Sequence, residues 1–105
     1  MQILNAIKDS PTALEQFVQY LIDKKYNANS ILTDDNFMGV LGYVLQYLES
    51  VKVFIIVDHR AYCVYKQFTE TNQFVIECES MIYNNIEQKY VIAVIKAFKY
   101  IENPF

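Results

Sequence analysis

The chain has no tryptophan, one histidine (His59), one arginine (Arg60), two prolines and two glycines. So few glycines and prolines leave no material for a long linker or a low-complexity segment, so helices and strands must fill most of its 105 residues. One arginine among scattered lysines cannot neutralise a phosphate backbone, which excludes direct nucleic-acid binding. No apolar run approaches the ~20 residues that cross a bilayer. The longest candidate, Tyr90 to Ile95, is stopped by Lys96. A basic start followed by an apolar stretch, the mark of a signal peptide, is missing from MQILNAIKDSPTALEQ. The expected compartment is therefore the reducing cytoplasm, with Cys63 and Cys78 as free thiols.

What is present is apolar. Hydrophobic residues make up 53% and charged residues 20%, which excludes disorder, and the formal net charge is −3. The expectation is one domain over residues 1–105, with an N-terminal helical segment (1–30) and an α-β-β-β-α unit (33–105). Ser10-Pro11 starts a helix, with Thr12 and Glu15 as a capping box, and Leu14, Phe17, Val18, Leu21 and Ile22 recur at helical spacing. Asn27 to Ser30 reads as a connection. Thr33-Asp34-Asp35 opens a second helix with Phe37, Leu41, Val44 and Leu48 as its stripe, widened by Met38 and Leu45. Gly39 and Gly42 inside it signal close packing or the approach of a ligand.

Three β-branched runs follow: Val51–Val57, Ala61–Gln67 and Gln73–Glu79. Asn84 and Glu87 cap a last helix with Tyr90, Ala93, Val94, Ala97, Phe98 and Ile101 on one face and Lys89, Lys96 and Lys99 on another. The fold class is α+β: a three-stranded antiparallel meander packed with about three helices, in the order α-α-β-β-β-α.

A three-residue first turn sets Val57 against Ala61 and Ile55 against Cys63. A second turn centred between Glu70 and Thr71 sets Cys63 against Cys78 and Tyr65 against Ile76. Alternation then predicts a core face of Val53, Ile55, Val57, Cys63, Tyr65, Phe74, Ile76 and Cys78. The opposite face is mixed. Phe54, Ile56, Tyr62 and Val64 lie at its centre, Val75 beside them, and Lys52, Lys66, Glu77 and Glu79 at its margin. Such a patch marks an interaction site, covered by the N-terminal helix, a second copy or another protein. Nine tyrosines point the same way, with Tyr43 and Tyr47 flanking the second helix's stripe.

Catalytic chemistry finds little purchase. His59 sits in a hairpin turn beside Asp58 and Arg60, where a base is conceivable, but these are ordinary turn residues with diverging side chains. Ser10, Ser30, Ser50 and Ser80 lie at element ends and read as caps. Two cysteines and one histidine do not show zinc-finger spacing. No catalytic residue, metal or cofactor is expected.

The stretches FMGVLGYVLQYLE, VKVFIIVDHRAYCVYK and YVIAVIKAFKYIENPF place an amphipathic helix, short strands and an apolar terminal helix in sequence. In that order the chain from Asp35 to Phe105 resembles the small phage and prophage proteins of the phage ABA sandwich domain. The layout is also similar to phage proteins that inhibit host defence by binding it, including some anti-CRISPR proteins. The phage ABA sandwich family has no established activity, so the resemblance carries over no site residues. It suits a non-catalytic protein-binding module of a phage or mobile element. A homo-oligomeric structural protein, such as a homodimer burying its own mixed face, is the first alternative. A small enzyme or ligand sensor using the His59 region is the second.

Overall fold

Proline at a first helical position and asparagines at three helix starts set the helix boundaries. The computed structural model describes residues 1–104, so Phe105, the last residue of the third matching stretch, lies outside the described residues. The elements are α1 (Ile3–Ile7), α2 (Pro11–Asp23), α3 (Ala28–Leu32), α4 (Phe37–Ser50), β1 (Val53–Val57), β2 (Ala61–Gln67), β3 (Gln73–Ser80) and α5 (Ile86–Glu102). With the one-turn helices α1 and α3 set aside, this is the predicted α-α-β-β-β-α order of an α+β fold. Asn27 to Ser30 is not the connection expected. Asn27 caps α3, its side chain accepting from the Ser30 N–H.

The caps differ in detail from the expected ones. Ser10 precedes Pro11 as predicted, yet its side chain makes no capping bond. The Glu102 carboxylate does that work from the far end of the chain, accepting the Ala13 N–H at 2.9 Å. That bond holds the Glu102 carboxyl below its usual range, as a helix N-terminus does for any acid placed there. Helix α4 is capped by Asn36 rather than Thr33. Helix α5 carries a reciprocal capping box of Asn85 and Gln88, one residue after the predicted pair.

Helix α5 is the centre of the packing. It touches all three strands on one side and α1, α2 and α4 on others. Its residues Ala93, Val94, Ala97 and Phe98 are buried. Helix α4 buries Phe37, Val40, Leu41, Val44, Tyr47 and Leu48, so Val40 and Tyr47 widen its stripe while Met38 is exposed. The layers therefore run sheet, then α4 and α5, then α1 and α2. Lys89, expected among solvated lysines, is 1% exposed. Its stem lies in the core and its ammonium donates to the Asp58 carbonyl at 3.0 Å. Lys66 donates to the Val51 carbonyl at 2.6 Å. The two lysines thus hold the carbonyls just before and just after β1.

The sheet order is β1-β2-β3, antiparallel throughout. The first hairpin corrects the predicted register by one residue: Val57 faces Tyr62, Ile55 faces Val64 and Val53 faces Lys66. The cause is the turn. The Asp58 carboxylate accepts the N–H groups of Arg60 and Ala61 at 2.8 and 2.9 Å, a side-chain-stabilised turn that draws Ala61 into the loop. A one-residue slip exchanges the faces of a strand. In the second hairpin Cys63 faces Cys78 as predicted, but an irregularity between Val64 and Tyr65 sets Tyr65 against Val75 rather than Ile76. Ile76 is the extra residue of this bulge, and it packs on the core beside Glu77.

Close packing against a neighbouring element explains neither helix glycine. A methyl group on Gly42 would meet nothing within 4 Å, and one on Gly39 would meet the capping side chain of Asn36 at 2.8 Å. Gly42 occupies ordinary helical backbone facing open space. Gly42→Ala should stabilise the protein by about 1 kcal/mol, read as a higher urea midpoint at unchanged slope. A destabilised variant would show that something approaches that position closely.

Candidate functional site

The corrected register separates the residues that the sequence grouped. Tyr62 and Val64 point at the helices and are 1% and 0% exposed. Phe54 and Ile56 point away from them, and Ile56 is 56% exposed. The outward side chains form cross-strand rows. Phe54, Tyr65 and Val75 make one, Ile56, Cys63 and Cys78 a second, and Ala61 with Ser80 a third. Phe54 and Tyr65 stack with ring centroids 5.4 Å apart and planes inclined by 20°. Val75 is 58% exposed. Helices α4 and α5 reach the sheet from its opposite side, and α1 and α2 pack on those helices. The N-terminal helix is therefore not the cover of this face.

No side chain in these rows carries a charge. Of the charged margin expected around the patch, Lys52 stays exposed just before β1, its carbonyl accepting the Gln67 N–H at 2.9 Å, and the other three lie elsewhere. Lys66, Glu77 and Glu79 share the helix side with Tyr62, and the two glutamates form a polar cluster with it. The Tyr62 hydroxyl lies 3.3 Å from Glu77 Oε1 and 3.1 Å from Glu79 Oε2. Lys96 of α5 lies 3.3 Å from the same Glu77 oxygen. The cluster ties β2, β3 and α5 together. Burial, then the Glu77 charge, then the hydrogen bond to Glu79 push the Tyr62 phenol well above its ordinary range.

The two candidates on α4 also part company. Tyr47 is core, with Phe17, Tyr20 and Phe98 around its ring and its hydroxyl donating to Gln16 Oε1 at 3.1 Å. Burial pushes its phenol up to about 12. Tyr43 is half-buried against Tyr26, at 5.0 Å, on the side away from the sheet. Neither joins Phe54 and Ile56 in one surface. His59 is exposed at the hairpin turn. Its neighbour Asp58 is occupied by two backbone N–H groups, which hold its carboxyl below the usual range.

Cys63 and Cys78 are disulfide-bonded, with Cα atoms 4.2 Å apart, which corrects the expectation of free thiols. Both lie on the outer face rather than in the core. Sequence reasoning missed Tyr65 as an outer-face residue by assigning it to the core. The ability of Asp58 to close a wider turn was the available signal. Among the described residues no group of three or more His, Cys, Asp or Glu could hold a metal ion, and no helix is long and apolar enough to cross a membrane. No protein-family model, curated protein or solved structure matches the chain.

The two faces make opposite demands on one substitution. Val64→Asp should cost about 4 kcal/mol or more by burying an unpaired charge, whereas Ile56→Asp should leave the stability within about 1 kcal/mol. Urea unfolding of both variants checks the register, and equal losses would refute it. The two raised phenols predict a second behaviour. The fold favours the neutral form of each, so their contribution is complete below the ordinary value of 10.0 and fades as pH rises towards 12 and beyond. Stability should fall from about pH 10 to about pH 12, and fall less in the double variant Tyr47→Phe, Tyr62→Phe.

Proposed function

We propose that the protein is a non-catalytic protein-binding module that lays the outer face of its sheet on an uncharged, apolar surface of another protein. The observation that carries this reading is a sheet covered on one side only, whose open side presents Phe54, Ile56, Tyr65 and Val75 without a single charged neighbour in its rows. Large side chains left in water forgo about 1.5–3 kcal/mol each when fully exposed, and contiguous patches of this sort mark binding sites. With Lys52 as the lone charge at its end, the face offers little to a phosphate backbone or an anionic membrane.

Area selects the kind of partner. Three strands at ~4.8 Å spacing and about seven residues at ~3.3 Å span on the order of 300 Å². A standard interface takes about 800 Å² per partner. The face alone is too small for a stable dimer of two copies. It fits a partner that also engages surface beyond the sheet. The order of elements shared with small phage proteins supports a role as an accessory protein of a phage or mobile element. In this reading it acts in the host cytoplasm by occupying a partner's surface, as an inhibitor of host defence would.

The test compares wild type with Ile56→Asp on the sheet and Ile22→Asp on α2, an equally exposed control. A partner captured from the native source by wild type and by Ile22→Asp, and lost from Ile56→Asp, is the expected result. Equal capture by all three would defeat the reading. Light scattering should give a monomer mass for the isolated protein. A dimer that Ile56→Asp dissociates would assign the face to a second copy instead. His59→Ala should bind as wild type does, and a loss of function in that folded variant would favour the enzyme or sensor alternative.

A further inference from the structure

Cys63 and Cys78 sit directly opposite each other on neighbouring strands. Their Cα separation of 4.2 Å matches the closely spaced pair of an antiparallel ladder that exchanges no backbone hydrogen bonds. Backbone pairing on both sides of them, from Ala61 with Ser80 to Gln67 with Gln73, holds the two strands together independently of the sulfurs. Neither side chain belongs to the buried core, which lies on the sheet's other face. Cys78, on an edge strand, is exposed. Cys63, on the central strand between Ile56 and Cys78, is half-buried.

From this placement we infer that Cys63–Cys78 is an exchangeable disulfide, a site of thiol–disulfide exchange with a small or protein dithiol, and not a permanent staple. A buried disulfide becomes accessible only when the surrounding structure opens. Here a thiolate reaches Cys78 Sγ with the sheet intact. Attack forms a mixed disulfide on Cys78 and breaks the Cys63–Cys78 bond. The electron pair leaves on Cys63 Sγ, which takes a proton from water. The reductant's second thiol then attacks the mixed disulfide, its own sulfur pair becomes the new disulfide, and Cys78 is released as a thiol. Two electrons pass from the dithiol to the protein. The strand ladder and the helix-covered core are unchanged by the transfer. The inference stands apart from the docking reading, since it needs only the accessibility of Cys78.

The experiment uses the intact protein, oxidised with glutathione disulfide under native conditions, then exposed to increasing dithiothreitol. Aliquots are alkylated and weighed by mass spectrometry while circular dichroism is followed. Reduction should proceed at a rate proportional to dithiothreitol with the folded signal retained, and glutathione disulfide should restore the bond. A rate that is independent of dithiothreitol and equal to that of global unfolding would overturn the inference. So would two thiols that glutathione disulfide fails to join. The single variants locate the attack. Cys63→Ser, which keeps Cys78, should form a mixed disulfide with glutathione at least ~10-fold faster than Cys78→Ser, because thiol access sets such rates. Equal or reversed rates would overturn Cys78 as the attacked sulfur. Exchange is read on the isolated protein and docking by capture of a partner, so either reading can fail without the other.

Discussion

Everything in this fold depends on burying α5 from more than one side. A surface helix needs one apolar stripe, but α5 must satisfy the sheet on one side and α1, α2 and α4 on the others. Its sequence meets that demand with small residues at Ala93 and Ala97, four apart, and larger ones at Val94 and Phe98 beside them, all buried. Small residues let neighbouring backbones approach, while Phe98 reaches Phe17 and Tyr47 at ring-centroid distances of 5.9 and 5.7 Å. Because α5 takes the sheet's inner face, and α1 and α2 are occupied with α4 and α5, nothing in the described chain remains to cover the outer face. The open face is thus a consequence of how the helices are shared out.

The polar groups obey the same economy. Lys66 and Lys89 face the core and would be costly there as free charges. Each instead delivers its ammonium to a carbonyl at one end of β1. Tyr62 sends its hydroxyl to the two carboxylates on β3, and Lys96 of α5 meets one of them. Every buried polar side chain in the described residues finds a partner. The sheet is fastened to α5 by ions as well as by apolar contact.

Much of this was legible in the residues. The strand over Ala61–Gln67, the Pro11 helix start and the apolar face of α5 follow from β-branching, capping and helical spacing. What was not legible was register, because a pleated strand is equally apolar on both sides when residues such as Tyr62, Cys63, Val64 and Tyr65 succeed one another. Alternation then carries no signal, and the face is decided by one turn. Asp58 widened that turn by a residue, which sent Tyr62 and Val64 inward and both cysteines outward. The bulge at Ile76 is invisible for a similar reason, since it depends on Ile76 and Glu77 both having partners on the helix side. Lys89 was misread because a lysine at helical spacing with other lysines looks solvated, and only the loop carbonyl of Asp58, remote in sequence, gives it a place inside.

The bond from the Ala13 N–H to the Glu102 carboxylate spans 89 residues of sequence. It completes the first turn of α2 with a side chain from the last turn of α5. The helix that supplies it is also the one on which the sheet and the N-terminal helices pack. On a ribosome, then, the three strands and both long preceding helices emerge before the surface that organises them exists. The meander can form its hairpins early, because those contacts are local, but its inner face stays wet until α5 is released. Folding of these elements consequently waits for α5. Any truncation within α5 removes the common surface on which the other elements assemble.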